Sequence, residues 1–507
     1  MNIAGQSLAR SSEFEAVAKH SLQRDLASGM FIVAILAPIT EQLFSGSPIY
    51  DATIFMNLGF IILALIINKF NVPFVAIRIA LPFVLLCALG LVSAAEGVVY
   101  YDVVKDVWYV MNPCVAVLTG FFLGYLINDF RRLILCTFVA GLTFASFHVV
   151  QFALNPSIIK ESLRSLRQDA GLGEFTSALC LGILFTLSWN KIPWRRISLP
   201  ICLVVLPICL ASQVLGLSRI WWVCLIVICF SATGFLHLRR FPVWVAPSLV
   251  AVSLALAVPF LLPVSSMEQS GTTMQVQVKT AGSQGGSQAS RFAEKIQNSL
   301  HEITPHDFTN MTEINENWRG YESYRGMKYY NEGTWSEMLF GHGYGVLTDL
   351  GIVIKLKDSI FRVTPWFHNG YVYLLVKTGL LGLIFYLSFV FIIVRYGMQG
   401  YDSNSKVIRS LSRILVGSAM SLMLATAVFA GAFNRSRFVS ALVFIGATVA
   451  LQRRLLVREA ALSQPRRGGV LRFGRTPVPS TPVDGAAAGL SPATSMPLTT
   501  SGQQHVV

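Results

Sequence analysis

Charged residues are scarce in this sequence. Only 13% of its 507 residues are Asp, Glu, Lys or Arg, and 53% are hydrophobic. A soluble globular protein carries about a quarter charged residues. Apolar runs of about 18 or more residues recur along the chain, and each is long enough to cross a lipid bilayer. The composition therefore excludes an ordinary soluble domain and predicts an all-α integral membrane protein.

Acidic pairs and reactive cysteine patterns are also missing. The chain has 26 acidic residues against 40 Lys and Arg, and it contains no Asp-x-Asp pair. That absence argues against a metal-dependent transferase of nucleotide sugars. The eight cysteines all fall in apolar runs and form neither a Cys-x-x-Cys motif nor a cluster with histidine. We therefore predict no metal site, no cofactor and no disulfide in the long polar segment.

The excess of basic residues, a net charge of +14, follows a pattern along the chain. Alternate connections between apolar runs are rich in Lys and Arg, as cytoplasmic loops of membrane proteins are. This pattern predicts that both termini are in the cytoplasm and that the long polar segment is on the external or periplasmic face. No nucleic-acid-binding motif is present, so we expect no nucleic-acid partner. No small-residue cleavage site follows the first apolar run, so no cleaved signal peptide is expected.

About twelve transmembrane spans are predicted, with one large loop between the ninth and the tenth. The chain then divides into a cytoplasmic segment (1–25), spans one to nine (26–263), the loop (264–368), spans ten to twelve (369–452) and a disordered cytoplasmic tail (453–507). The predicted spans are 26–44, 52–68, 73–94, 110–128, 132–154, 174–190, 197–213, 219–237, 242–263, 369–394, 408–430 and 436–452.

A His-Asn pair stands where the polar loop meets the tenth span. His368 and Asn369 precede an apolar run that contains Gly379 and Gly382. Histidine is suited to act as a base near pH 7, whereas the alternative is an interfacial histidine with no chemical role. Asn369 either orients His368 or caps the tenth helix. The two glycines are expected to allow close helix packing.

The loop also combines aromatic and charged side chains. Trp318 and Tyr321 offer flat faces to sugar rings, and Glu322 offers a carboxylate to sugar hydroxyls. The alternative is that the aromatic residues only pack the loop onto the bilayer. Arginines on the predicted periplasmic side would suit an anionic lipid substrate, most simply a diphosphate, although each could instead contact lipid headgroups. These arginines are Arg167, Arg219, Arg291, Arg319 and Arg325.

Together these features resemble the O-antigen ligase and Wzy-type polymerase superfamily of bacterial polysaccharide assembly. The similarity extends over residues 26–452 through topology and loop placement. Where many members have Glu nine residues after the histidine, this chain has Lys377. The motifs that carry the resemblance are His368-Asn369 with Gly379 and Gly382, Ser218-Arg219 at the start of a mid-chain span, and the Gly341-x-Gly343-x-Gly345 turn.

The resemblance implies a GT-C-type, metal-independent membrane glycosyltransferase whose donor is a glycan on a polyprenyl diphosphate. In this interpretation His368 is the general base, and Arg219 and Arg319 hold the diphosphate. Arg167 is a further candidate, and Arg325 and Arg291 are alternatives to Arg319. Expected partners are the lipid-linked oligosaccharide, membrane lipids, a flippase and a chain-length co-polymerase.

Of the two activities in this superfamily we favour a polymerase of exopolysaccharide or O-antigen repeat units, although no residue of the chain identifies the acceptor. A ligase that transfers glycan to lipid A core or to a protein is the first alternative. A transporter or flippase of the same lipid-linked sugar is the second, although the chain shows no internal repeat of the kind common in transporters. A non-catalytic assembly scaffold is the third.

Overall fold

Long apolar helices make up most of the described chain. A computed structural model describes residues 21–39, 49–94, 97–154, 174–216, 218–235, 275–277, 314, 317–356, 359–429, 433 and 438–463. The helices before the loop are α1 (Ser21–Ile39), α2 (Ile49–Ile67), α3 (Phe74–Val92), α4 (Tyr100–Ile127), α5 (Phe130–Leu154), α6 (Glu174–Trp189), α7 (Leu199–Leu215) and α8 (Arg219–Thr233). In the loop and after it are α9 (Trp318–Asn331), α10 (Trp335–Phe340), α11 (Gly370–Gln399), α12 (Lys406–Phe429) and α13 (Val439–Ser463).

Seven of these helices are long and apolar enough to cross a membrane, which indicates a multi-pass membrane protein. The seven are α1, α3, α4, α5, α11, α12 and α13. Shorter apolar stretches lie in α2, α6, α7 and α8. Eleven of the twelve predicted spans overlap a helix, and the ninth, 242–263, lies outside the described residues. The mostly helical architecture is therefore confirmed at this coarser level.

Two helices extend well beyond their predicted limits. Helix α4 begins at Tyr100, whereas the sequence predicted a start at residue 110. The prediction was too late because the charged side chains of the first two turns suggested a loop. One of them, Asp106, is in fact buried and paired inside the protein. Helix α13 continues to Ser463 rather than ending at residue 452. In this extension of α13 the Arg454 guanidinium lies over the ring of Tyr125. The helix can therefore continue past the apolar residues, because its charged side chain stands at the end of the apolar stretch.

The chain divides into two compact units, Met1–Ala460 and Ala461–Val507, and of the second the structure describes only the last residues of α13. Within the first unit, α11 packs against α3 and α12, and α12 also packs against α8. Gly120 and Gly124 of α4 lie directly against the backbone of α13 at Val443 and Ala447. Small residues permit such close helix approach in a membrane, where apolar burial alone gives no preference between neighbours.

A small sheet lies in the loop, which the sequence interpretation did not predict. Strand β2 (Thr348–Leu356) pairs antiparallel with β3 (Ser359–Thr364), and β1 (Gln275–Gln277) pairs parallel with β2. The β-branched residues of β2 and β3 were a usable strand signal. The sheet matters for function because α9 packs on β2 and is thereby held beside α11.

Helix α11 is broken at Gly379, although the sequence predicted a continuous span. Gly379 has φ 62° and ψ −165°, a conformation that is essentially restricted to glycine. The break leaves the carbonyls of Val376 and Lys377 without helical partners, and they accept hydrogen bonds from His342 N at 2.9 Å and Gly343 N at 3.0 Å. We call residues Gly341 to Gly345 the glycine loop. The break is therefore the place where the polar loop enters the helix bundle.

Replacing Gly379 with Ala should destabilise the protein. The backbone strain alone costs about 1–3 kcal/mol, and the new Cβ would collide with the backbone at Leu339 and Gly341. Thermal unfolding of the purified protein in detergent measures the effect. Gly59→Ala is the matched control, because nothing lies within 4 Å of a Cβ at that position of α2. Equal unfolding temperatures for the two variants would show that the break is not held in place by the loop.

Candidate active site

His368 and Glu322 form a close pair at the start of α11. The Nδ1 atom of His368 lies 2.7 Å from Oε2 of Glu322, and the backbone N–H of His368 donates to the same oxygen at 2.8 Å. The Glu322 side chain is 4% exposed, whereas the His368 side chain is 29% exposed. A buried carboxylate thus holds an imidazole that remains accessible from outside.

Two faces of α9 explain how Glu322 reaches His368. Glu322 and Gly326 are four residues apart and share one helical face. At Gly326, where a Cβ would lie 2.6 Å from Val372 and 2.7 Å from Phe367, α9 approaches the chain on both sides of His368. The neighbouring face carries Tyr321 and Arg325, which contact β2 instead. The sheet and α11 therefore hold α9 between them and fix the direction of the Glu322 side chain.

The pairing determines the protonation pattern of the imidazole. An ionised Glu322 can only accept a hydrogen bond, so the tautomer that fits this pair has the hydrogen on Nδ1 of His368, which donates a hydrogen bond to the carboxylate. The Nε2 atom then presents a lone pair, and no described residue is hydrogen-bonded to it. The ring of Trp366 lies 4.8 Å from the imidazole, centroid to centroid, and restricts its orientation. This arrangement can accept a proton from a hydroxyl group outside the protein and stabilise the imidazolium that results.

Asn369 caps α11. Its Oδ1 accepts hydrogen bonds from Tyr371 N at 3.0 Å and Val372 N at 3.4 Å, as an N-cap side chain does. Of the two roles considered for Asn369, the structure thus supports the cap. Because the cap fixes where α11 begins, it also contributes to the position of His368, the residue immediately before it.

Two of the predicted substrate-binding residues of α9 contact the sheet. Tyr321 is buried and donates its hydroxyl to the Leu350 carbonyl at 2.5 Å, and Arg325 donates to the Asp349 carbonyl at 3.1 Å. Trp318 is half-buried, with its ring 6.0 Å from that of Tyr321. For Tyr321 and Arg325 these contacts support the sheet, and contact of Trp318, Tyr321 or Arg325 with substrate stays a prediction.

Of the remaining candidate arginines, the structure describes Arg319 and Arg219. Arg319 is half-buried one turn before Glu322 on the same side of α9. Arg219 is half-buried as the first residue of α8, next to the buried Ser218. Arg167 and Arg291 lie outside the described residues, as do the segment 264–274 and the tail from 464. Diphosphate binding by Arg219 and Arg319 stays a prediction.

Sequence reasoning missed a buried ion pair below the glycine loop. Nζ of Lys377 lies 2.7 Å from Oδ2 of Asp106, and the side chains are 1% and 2% exposed. The Tyr373 hydroxyl and Gly345 N also donate to Asp106, at 3.0 and 2.8 Å, while Lys377 donates to the Val346 carbonyl. A charge in the middle of an apolar span was the signal that a buried partner was needed.

The glycine loop fills the space between α3, α4 and α11. Tyr344 is fully buried, its backbone N–H donates to the Gly90 carbonyl at 3.0 Å, and its hydroxyl donates to the Leu86 carbonyl at 3.1 Å. His342 is the second residue of the glycine loop, and its Nδ1 lies 3.3 Å from Oε1 of Glu337. The loop therefore ties α9 and α10, which carry or border the site, to the transmembrane helices.

Charges on the outer part of the loop are locally compensated. The hydrogen bond from Arg362 lowers the pKa of Asp349 below its usual range. The backbone N–H and the hydroxyl of Thr334 donate hydrogen bonds to the Glu337 carboxylate and lower its pKa. Together the two residues form a capping box at the start of α10. Burial raises the pKa of the Tyr321 phenol. These three groups therefore keep fixed charge states near neutral pH.

Within the described part of the chain, no cluster of three or more His, Cys, Asp or Glu residues is placed to hold a metal ion. The cysteines found buried, among them Cys114, Cys180 and Cys224, are free thiols.

No protein-family model matches the sequence, and no curated protein matches it.

Proposed function

We propose that this protein is a membrane glycosyltransferase of the O-antigen ligase and Wzy-type superfamily. It polymerises polyprenyl-diphosphate-linked oligosaccharide units at the periplasmic face of a bacterial inner membrane. The observation that supports this proposal most is the His368–Glu322 pair, in which a buried carboxylate orients an accessible imidazole. The pair lies at the first turn of a membrane helix, where a lipid-linked sugar would meet the protein.

In the proposed reaction, Nε2 of His368 removes the proton from a hydroxyl of the acceptor sugar. The hydroxyl oxygen forms a bond to the anomeric carbon of the donor sugar, and the bond from that carbon to the diphosphate oxygen breaks. The polyprenyl diphosphate leaves with the electron pair, and Arg219 and Arg319 hold its charge. Glu322 stabilises the imidazolium until its proton passes to water.

The proposal includes a topology that is finer than seven apolar helices. We infer twelve spans in a GT-C-like arrangement, with both termini in the cytoplasm and the large loop in the periplasm. The distribution of Lys and Arg supports this orientation. Membrane lipids, a flippase that delivers the lipid-linked units and a chain-length co-polymerase are the proposed partners.

The direct test uses the purified protein in liposomes with a polyprenyl-diphosphate-linked oligosaccharide as the only substrate. A ladder of lipid-linked products, each longer by one repeat unit, is the expected result. If no ladder forms but glycan is transferred when lipid A core is added, the protein is a ligase and the polymerase assignment is wrong. If the substrate only moves between leaflets without a new glycosidic bond, the glycosyltransferase proposal fails altogether.

A further inference from the structure

A cavity of about 300 Å³ lies at the other end of the bundle from His368. His368 precedes the start of α11, and the cavity is bordered by residues at the start of α12, which follows the end of α11. The residues that line the cavity include Trp189, Asn190, Lys191, Lys406, Arg409 and Arg413. This cavity is therefore separate from the candidate active site.

The lining of the cavity carries four cationic side chains and no carboxylate. Arg413 forms its inner wall: its guanidinium donates to the Ala232 carbonyl at 2.8 Å and lies 5.3 Å from the Tyr401 ring centroid. Asp402, an exposed residue, interacts with Arg413 electrostatically and compensates part of the charge. Lys191, Lys406 and Arg409 make no ion pair with any described residue. Arg413 is thus held in place by protein contacts, whereas no described carboxylate pairs with the other three cations that line the cavity.

Two nitrogen atoms of the arginines are buried without an acceptor. They are Nε of Arg409 and Nε of Arg413, and neither has a hydrogen-bond partner among the described residues. A buried, unsatisfied donor on a charged group is costly, and in native proteins such a donor commonly marks a site for a ligand, ion or water. A guanidinium presents Nε and one terminal nitrogen in the geometry that binds two oxygens of a phosphate.

The start of α12 adds a second favourable feature. The first N–H groups of a helix lack partners within the helix, and they carry the positive end of its dipole. Helix α12 begins at Lys406 and runs for 24 residues, and Lys406 and Arg409 of its first turn line the cavity. An anion in this space would meet both the side-chain charges and the helix terminus.

Aromatic side chains beside the cavity indicate its depth in a membrane. Trp189, which lines the cavity, is 52% exposed, and its ring stacks on that of Phe185 at 5.8 Å. Exposed Trp at the end of an apolar helix is typical of the membrane interface, the depth at which phospholipid headgroups lie. The cavity would therefore be reached both by a lipid headgroup and by a small anion from water.

We propose that this cavity is a phosphate-binding site that accepts the phosphodiester of an anionic phospholipid headgroup or a free phosphate anion. Arg413 and Arg409 bind the phosphate oxygens, and Lys406 and Lys191 supply further charge at the entrance. The proposal does not depend on the glycosyltransferase activity, because the cavity is remote from His368.

The test measures binding to the full-length protein in detergent by native mass spectrometry, with phosphatidylglycerol and with phosphatidylcholine as probes. We expect the wild type to retain phosphatidylglycerol preferentially and Arg409→Gln to bind it about tenfold more weakly, since a hydrogen bond between charged groups is lost. Arg195→Gln is the matched control, an exposed arginine of the connection that contains Lys191. It should bind as the wild type does.

A thermal-shift series with inorganic phosphate distinguishes the two sources of the phosphate group. Stabilisation of the wild type by millimolar phosphate, absent in Arg409→Gln, identifies a free anion as a ligand, whereas stabilisation by phosphatidylglycerol alone identifies the headgroup. Lys406→Gln, at an exposed position, replaces Arg409→Gln if the latter does not fold. The proposal is wrong if the pocket variant and Arg195→Gln bind phosphatidylglycerol and phosphate equally well.

Discussion

Replacing His368 with Gln is expected to lower the rate of glycan polymerisation about 10²–10⁴-fold, the usual contribution of a positioned general base. Gln keeps a polar side chain of similar length but cannot accept and hold the proton of the acceptor hydroxyl. The side chain of His368 is only partly buried and Asn369 caps α11 separately, so the variant should fold normally. The measurement is the initial rate of ladder formation in liposomes, at equal amounts of folded protein.

Glu322→Gln tests whether the carboxylate acts through His368. We expect a rate about 10–100-fold below the wild type, by analogy with the loss that follows when the hydrogen-bond partner that orients a metal-bound histidine is replaced. The double variant Glu322→Gln with His368→Gln should be no slower than His368→Gln alone, because Glu322 has no base left to orient. A double variant that is slower by the product of both effects would assign Glu322 an independent role.

The loop offers a second His–Glu contact as a matched control. His342 lies 3.3 Å from Glu337, but it is 8% exposed and stacks on Tyr329 inside the glycine-loop region. His342→Gln should leave the rate of polymerisation within a few-fold of the wild type when corrected for folded protein. If His342→Gln abolishes the reaction and His368→Gln does not, the base has been assigned to the wrong histidine.

Replacing Lys377 with Met should destabilise the protein by about 3–5 kcal/mol, because it leaves a buried carboxylate without its cation. Asp106 would keep its hydrogen bonds from Tyr373 and Gly345 N, but these do not neutralise the charge. Asp106→Asn should have a similar effect through the unpaired ammonium group. The measurements are the unfolding temperature in detergent and the rate of proteolysis at residues 341–346, where the glycine loop would detach from the helix break.

The double variant Asp106→Asn with Lys377→Met should recover most of the lost stability. Removing both charges avoids a buried unpaired ion, and such replacements are often neutral. Arg362→Gln is the control, since the Arg362–Asp349 pair has exposed side chains and should contribute little to stability. An equal loss from Lys377→Met and Arg362→Gln would show that the pair below the glycine loop is not desolvated.

The apolar spans could be predicted from the sequence because their signal is local. A run of apolar residues long enough to cross a bilayer must satisfy its own backbone hydrogen bonds, and a helix does so without reference to the rest of the chain. The predicted ends of the spans were wrong where charged residues lie inside a helix. At α4, the charged residues near Asp106 suggested a loop, although one of them is a buried partner of Lys377.

The candidate site was only partly predictable. His368 could be singled out because it stands at the border of a polar loop and an apolar run. Glu322 was interpreted as a sugar ligand, and its contact with His368 spans 46 positions of the chain. Tyr321 and Arg325 showed the same residue types expected of a sugar site, but their contacts go to β2. Residue type alone cannot separate these uses, because they depend on which helical face meets which neighbour.

Local composition is enough to predict a multi-pass, mostly helical membrane protein with one long polar segment and a histidine at its border. Which groups meet across the chain depends on how the helices pack: Glu322 meets His368, Asp106 meets Lys377 over 271 positions, and the glycine loop meets the break at Gly379. Charge is scarce in the apolar surroundings of these helices. A helix forms wherever the run is long enough, but each buried charge and each freed carbonyl must find a partner, and packing decides which one is within reach.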